Sequence, residues 1–90
     1  MGCYIVTYDL NKEVTRPPID KSIREDFNGF AMLSESSYAI TTNKTPKGVY
    51  DALAKHLDGN DCLLVVTLSK PYFGQHSQEV IDWLDEQLPD

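Results

Sequence analysis

The run from Cys3 to Tyr8, which closes on Asp9, constrains the fold of this chain more than any other segment. Aromatic and β-branched side chains suit a pleated strand and lose rotamer freedom in a helix, so the run predicts a β-strand. Because side chains alternate between the two faces of a strand, residues 3, 5 and 7 face one side and residues 4, 6 and 8 the other. Both sets are mostly apolar. They predict a central strand that is covered on both sides or lies at a subunit contact.

Three segments show the spacing of an amphipathic helix, with apolar side chains three or four residues apart. The predicted helices cover residues 18–28, 46–58 and 78–88. Prolines open the first two helices, Thr45 precedes the second, and His76 or Ser77 precedes the third, all of which are typical helix starts. Gly59 stands where a left-handed residue would end the second helix. His56 would then lie in the last turn of that helix, where an imidazole complements the helix dipole.

Two further regions predict strands. Residues 30–42 read as extended chain interrupted by a polar turn, which favours a hairpin over the alternative of one bulged strand. Residues 62–68 are a continuous apolar run bounded by turn residues, which is typical of a buried strand. The element order is strand, helix, strand, strand, helix, strand and a final helix. This order predicts a ferredoxin-like βαββαβ sandwich of the α+β class, with a four-stranded antiparallel sheet in the order 4-1-3-2 and an additional C-terminal helix.

The chain of 90 residues predicts one domain, with a core over residues 1–68 and a C-terminal loop and helix over residues 69–90. A domain this small buries only about 60% of its extended surface, so we expect a homodimer to add to the core. The sequence contains neither a long apolar run nor a basic leader, which predicts a cytoplasmic protein that does not enter a membrane.

Charge is unevenly spread along the chain. The net charge is -6, and residues 61–90 hold Lys70 alone against six acidic side chains. This balance argues against a general affinity for nucleic-acid backbone, so any such contact needs a local basic patch. Lys12, Arg16, Lys21 and Arg24 follow the first strand and could meet a phosphate, although the acids interleaved with them favour a self-compensated surface.

The predicted strand directions bring several polar side chains to one edge of the sheet. The fourth strand starts near the end of the first, which places Asp61 close to Asp9. The hairpin turn carries Glu35, Ser36 and Ser37 to the same edge. Carboxylates and hydroxyls suit a hard cation such as Mg²⁺, whereas the alternative is that these residues simply end strands and form turns.

The two cysteines begin different antiparallel strands, so the topology sends them to opposite edges of the sheet. A disulfide needs Cα atoms within about 7 Å, which this arrangement forbids. We expect Cys3 and Cys62 to be buried, reduced thiols without a zinc motif.

Three segments resemble the CRISPR-associated protein 2 superfamily, and more closely its SinR-like and virulence-associated protein D-like small bacterial members. The segments are Tyr8-Asp9-Leu10, Leu33-Ser34-Glu35-Ser36-Ser37-Tyr38-Ala39-Ile40 and Asp61-Cys62-Leu63-Leu64-Val65-Val66. The resemblance spans about 70 residues, and it implies ferredoxin-like subunits in a homodimer.

The resemblance also implies a metal-dependent nuclease or nucleic-acid-handling protein. On this reading Asp9 is the catalytic residue and binds Mg²⁺ or Mn²⁺, with Asp61 beside it as a second ligand. RNA or DNA would meet a group of five residues, namely Tyr8, Lys12, Arg16, Ser36 and Ser37. The alternative hypothesis is a non-catalytic interaction module, the partner of a toxin or regulator, whose acidic C-terminal helix meets a basic protein surface.

Overall fold

The computed structural model describes residues 1–10 and 16–89. Its elements are β1 (Gly2–Asp9), α1 (Arg16–Asp26), β2 (Gly29–Ser34), β3 (Ser37–Thr42), α2 (Pro46–Ala54), β4 (Cys62–Thr67) and α3 (Gln78–Gln87). The four strands form one antiparallel sheet in the order β2-β3-β1-β4, which is the predicted order read from the other edge. The α+β class, the central place of β1 and the hairpin of β2 and β3 are therefore confirmed.

One face of the sheet packs against α1 and α2 and forms the main core. The even-numbered residues of β1 (Tyr4, Val6 and Tyr8) point into it. The predicted helix stripes meet them there, with Ile19, Ile23, Val49 and Leu53 fully buried. Burying a side chain of this size contributes about 1.5–3 kcal/mol. This face therefore supplies most of the hydrophobic stabilisation.

The other face of the sheet is covered by α3. Ser77 caps this helix by accepting a hydrogen bond from the backbone N–H of Val80 at 3.3 Å. The buried members of the second core cluster are Cys3, Ala31, Ala39, Val80, Leu84 and Leu88. The sheet residues of this cluster lie at the start of β1 and in β2 and β3, so α3 covers that half of the sheet.

Within residues 1–10 and 16–89, no helix covers the remaining half of this face. Its residues on β1 and β4, which we call the open half-sheet, are Ile5, Thr7, Cys62, Leu64 and Val66. Leu64 is 65% exposed and Val66 is 48% exposed. The prediction of a buried fourth strand was therefore wrong, and so was the prediction that Cys62 is buried. The physical reason is that β4 is an edge strand with a core on one face only.

Two further predictions at the ends of helices need correction. The second helix ends at Ala54, so His56 lies beyond its last turn. Its C-cap is Lys55, which keeps a right-handed helical conformation, and no described glycine has a positive φ, so Gly59 is not a left-handed cap. Among the described residues, no helix has the length and apolar character needed to cross a bilayer.

Candidate functional site

The predicted polar edge forms where three chain segments meet. Asp9, the last residue of β1, pairs with Cys62, and Thr7 pairs with Ser37. The backbone N–H of Tyr8 donates to the carbonyl oxygen of Ser36 at 3.0 Å. The end of β1, the β2–β3 turn and the start of β4 therefore share one edge of the sheet.

The two carboxylates of this edge differ in their surroundings. Asp9 is exposed, and its strand partner is the residue that follows Asp61. The Asp61 carboxylate accepts a hydrogen bond from the backbone N–H of Asp58 at 2.8 Å, and the Asp61 N–H donates back to the Asp58 carbonyl at 3.1 Å. Asp61 is thus fixed in its own turn, whereas Asp9 is presented to solvent.

A divalent cation would find two carboxylates here rather than a closed cage. Within residues 1–10 and 16–89, no three His, Cys, Asp or Glu side chains are grouped closely enough to hold a metal ion. Mg²⁺ is commonly bound through one or two carboxylates, with water and substrate phosphates completing its shell. The sequence prediction assigns such an ion to Asp9 and Asp61, of which Asp9 is exposed and Asp61 already accepts the Asp58 N–H.

The tyrosine and serines of the edge hold the structure together. Tyr8 is 4% exposed, its hydroxyl donates to the carboxylate of Asp20 on α1, and the Glu35 carbonyl oxygen lies 3.2 Å from the same hydroxyl. Ser37 shares a 2.6 Å hydrogen bond with Ser34 across the turn. Tyr8 therefore ties β1 to α1 and to the β2–β3 turn, while Ser36 and Ser37 are half-buried beside it.

The basic residues do not make one patch within the described part of the chain. Lys12 lies outside the described residues, and Arg16 begins α1. The guanidinium of Arg24 lies 5.7 Å from the centre of the Phe30 ring, over its face. A cavity of about 530 Å³ between α1 and the chain after α2 is lined by both signs of charge, namely Lys21, Glu25, Asp26 and Lys55. Such a lining compensates its own charge and gives no net attraction for a phosphate chain.

The open half-sheet is an exposed apolar surface that the predictions did not contain. Leu64 and Val66 stand on the same face of β4, opposite Thr7 and Ile5 of β1. The sequence did carry a signal for it: residues 63 and 65 would fill one core, so residues 64 and 66 would need a second one. Contiguous exposed apolar side chains of this kind mark interaction surfaces.

The two thiols differ as much as the two halves of this face. Cys3 lies under α3, where its thiol donates to the Gln87 carbonyl at 3.4 Å, and burial raises the pKa of that thiol. Cys62 is exposed on the open half-sheet. Low accessibility and a raised pKa both suppress thiolate chemistry, so Cys3 is the unreactive one.

Comparison of the sequence with protein-family models and with curated proteins finds no match. The resemblance to the CRISPR-associated protein 2 superfamily therefore stays a prediction from the three strand segments.

Proposed function

We propose that this chain is a ferredoxin-like interaction module that forms a homodimer through the open half-sheet. The observation that carries the proposal is the exposure of Leu64 and Val66 on an edge strand. Removing apolar surface from water contributes about 25 cal/mol per Å², and it is the main driving force of association between stable subunits. The same proposal accounts for the small size of the chain, which limits the core that one copy can build.

The free edge of β4 adds backbone hydrogen bonding to this apolar contact. Soluble proteins usually protect an edge strand with lysine, proline, a bulge or a covering element. The β4 sequence is Cys-Leu-Leu-Val-Val-Thr, and it contains neither a charged residue nor a proline. In an isologous contact, β4 of one copy would lie antiparallel to β4 of the other, so that a two-fold axis joins two sheets into one.

Sedimentation of the protein over a range of concentrations tests the proposal. We expect a dimer, and we expect Leu64→Glu to give a monomer because pairing of β4 with its copy would set the introduced like charges beside each other on one face of the joined sheet. The matched control is Met32→Glu, which places the same charge on an exposed apolar site of the opposite edge strand. This control should remain dimeric. A wild-type monomer up to millimolar concentration, or equal effects of the two changes, would contradict the proposal.

The second candidate is the metal-dependent nuclease that the resemblance implies. The observation in its favour is the pairing of Asp9 with Cys62, which brings Asp9 beside Asp61 at the edge of the sheet. A divalent ion held there would supply an activated water for attack on a phosphodiester. Asp9 is exposed, so it can be replaced without disturbing either core.

Nuclease assays with single-stranded RNA and duplex DNA in Mg²⁺ or Mn²⁺ test this second candidate. We expect Asp9→Asn to abolish any cleavage that belongs to the protein, while Asp51→Asn keeps it. Asp51 is a matched control because its exposed carboxylate only pairs with Lys47 at 2.8 Å on the surface of α2. Cleavage that survives Asp9→Asn would assign the activity elsewhere.

Salt dependence separates the two candidates in one experiment. Each copy carries a net charge of -6, so added salt screens the repulsion between copies and should strengthen the dimer. Binding to a nucleic-acid backbone weakens as salt rises because counterions are released. As salt concentration rises, we therefore expect the affinity of the dimer to increase and the affinity for nucleic acid to decrease.

A further inference from the structure

We propose that the groove between β2 and α3 binds an extended peptide of basic and apolar residues, which adds as a strand to the outer edge of β2. The groove has a volume of about 350 Å³ and lies far along the sheet from β4. It is separate from the open half-sheet and from the polar edge at Asp9. Its occupant is a segment of a partner protein, and the argument rests on backbone geometry, side-chain lining and charge.

The groove runs beside an edge strand. Its lining on β2 consists of Phe30, Ala31 and Met32. Ala31 belongs to the core under α3 and Phe30 packs against the core under α1 and α2, so the groove reaches both faces of β2. The groove therefore runs along the outer edge of the sheet. β2 is the terminal strand on this side, and a free strand edge is a template for one more strand.

A histidine already makes the kind of hydrogen bond that an added strand would make. Nδ1 of His76 accepts the backbone N–H of Ser77 at 2.8 Å, which leaves the ring proton on Nε2. Nε2 lies 2.8 Å from the carbonyl oxygen of Leu33 and donates to it. A carbonyl of β2 therefore faces the groove and accepts a hydrogen bond from that side.

The opposite wall of the groove is apolar with one carboxylate. Val80 and Trp83 of α3 face β2, and the indole Cζ2 of Trp83 lies within van der Waals reach of Gly29. Met32 forms the rim and is 41% exposed. An extended peptide would place alternate side chains beside Met32 on one face of β2 and beside Trp83 on the other.

Charge selects a basic peptide. Glu79 lines the groove in the first turn of α3, and the described lining contains neither lysine nor arginine. Asp82, Asp85 and Glu86 continue the acidic outer surface of the helix. Lysine or arginine side chains that flank an apolar residue would be attracted to these carboxylates on the α3 side of the groove, away from Arg24, which lies over Phe30 on the α1 side of β2.

The protein carries its own reporter for this site, since Trp83 is its single tryptophan. The probe is a blocked peptide of about seven residues that alternates lysine and valine, which matches the span of a six-residue strand. We expect a saturable change in Trp83 fluorescence. We also expect backbone amide shifts concentrated in residues 29–34 and 76–83.

Two control peptides separate strand addition from general charge attraction. N-methylation of one central valine and of the lysine next to it removes backbone donors from both edges of the peptide and should weaken binding by roughly tenfold, a change of about 1.4 kcal/mol. Exchange of every lysine for glutamate should abolish binding. Equal binding of the N-methylated peptide would overturn the proposal, as would amide shifts that lie on β4 or on the polar edge.

Two variants of α3 locate the contact. Glu79→Lys should weaken binding of the basic peptide about three- to tenfold, and Glu86→Lys should change it less than about twofold because Glu86 does not line the groove. Repeating the titration in Leu64→Glu keeps the outcome independent of the dimer. An unchanged Trp83 signal in both backgrounds, or equal effects of the two lysine variants, would refute the site.

Discussion

The sheet face on which α3 lies has two halves that differ in one respect. The helix covers one half, and nothing within the described chain covers the other. Both halves carry apolar side chains on central and edge strands. In the covered half Ala31 and Ala39 lie beneath Val80 and Leu84. In the open half Leu64 and Val66 face solvent. The difference teaches that a single added helix is too narrow to cover a four-stranded sheet, so the apolar residues of the other half stay exposed in one copy of the chain.

The largest expected difference between the halves is in the cost of truncating a leucine. Leu84 is 8% exposed, so Leu84→Ala should lower the free energy of unfolding by about 2–4 kcal/mol through lost burial and a cavity. Leu64→Ala, studied at concentrations where the chain is monomeric, should change it by less than about 0.5 kcal/mol. Urea unfolding measures both. Equal losses would mean that a contact within the same chain covers Leu64.

Thiol reactivity should sharpen the same contrast. Cys62 is exposed, whereas burial raises the pKa of Cys3 beneath α3. We expect a thiol-specific reagent to modify Cys62 at least about tenfold faster than Cys3 in the folded protein. The reaction should show a fast and a slow phase, and the variants Cys3→Ser and Cys62→Ser show which thiol gives each phase. Dimerisation should slow only the Cys62 phase, and slowing of the Cys3 phase alone would contradict the proposed interface.

A smaller effect is expected where α3 begins. Ser77→Ala removes the side-chain acceptor for the Val80 N–H and should lower stability by about 1 kcal/mol. Exposed Ser69 lies just after β4 and provides the control, since Ser69→Ala should change stability by less than about 0.5 kcal/mol. Thermal unfolding at fixed pH gives both values. A larger loss for Ser69→Ala would show that the loop before α3 matters more than its cap.

The smallest effect concerns the loop that leads into α3. The hydroxyl of Tyr72 donates to the Asp85 carboxylate, and this hydrogen bond raises the pKa of Tyr72. The stability that it contributes is present below the ordinary tyrosine pKa of about 10 and is lost as pH rises above it. Wild type should therefore have a higher Tm than Tyr72→Phe at pH 8, and the difference should narrow above pH 10. A difference that widens would reverse the assignment.

Much of the fold follows from local patterns in the sequence. Because a helix repeats every 3.6 residues, the spacing of apolar residues predicts the faces that α1 and α2 bury. These residues are Ile19, Ile23 and Phe27 for α1, and Val49 and Leu53 for α2. The pairing of Asp9 with Cys62, the residue after Asp61, follows from strand direction alone. These features depend only on periodicity and topology.

What could not be predicted depends on tertiary position. An apolar run such as Cys62–Thr67 shows that a strand needs cover, but it does not show whether the same chain provides that cover. The hydrogen bond from the Tyr8 hydroxyl to the Asp20 carboxylate depends on how α1 packs on the sheet. The groove depends on where α3 lies relative to β2. The only sequence signals for the groove were a lone tryptophan on a helix and a histidine just before it.

The bare edge of β4 has a consequence for handling the protein. A copy that is not paired would expose the backbone N–H and C=O groups of the β4 edge beside the apolar open half-sheet. Dilution, mutation or heat could each produce such unpaired copies. Further strands could join at that edge without limit and seed fibrous precipitate, since the segment has high β-propensity and bears no charged gatekeeper. Pairing of β4 in the proposed dimer would cover this edge.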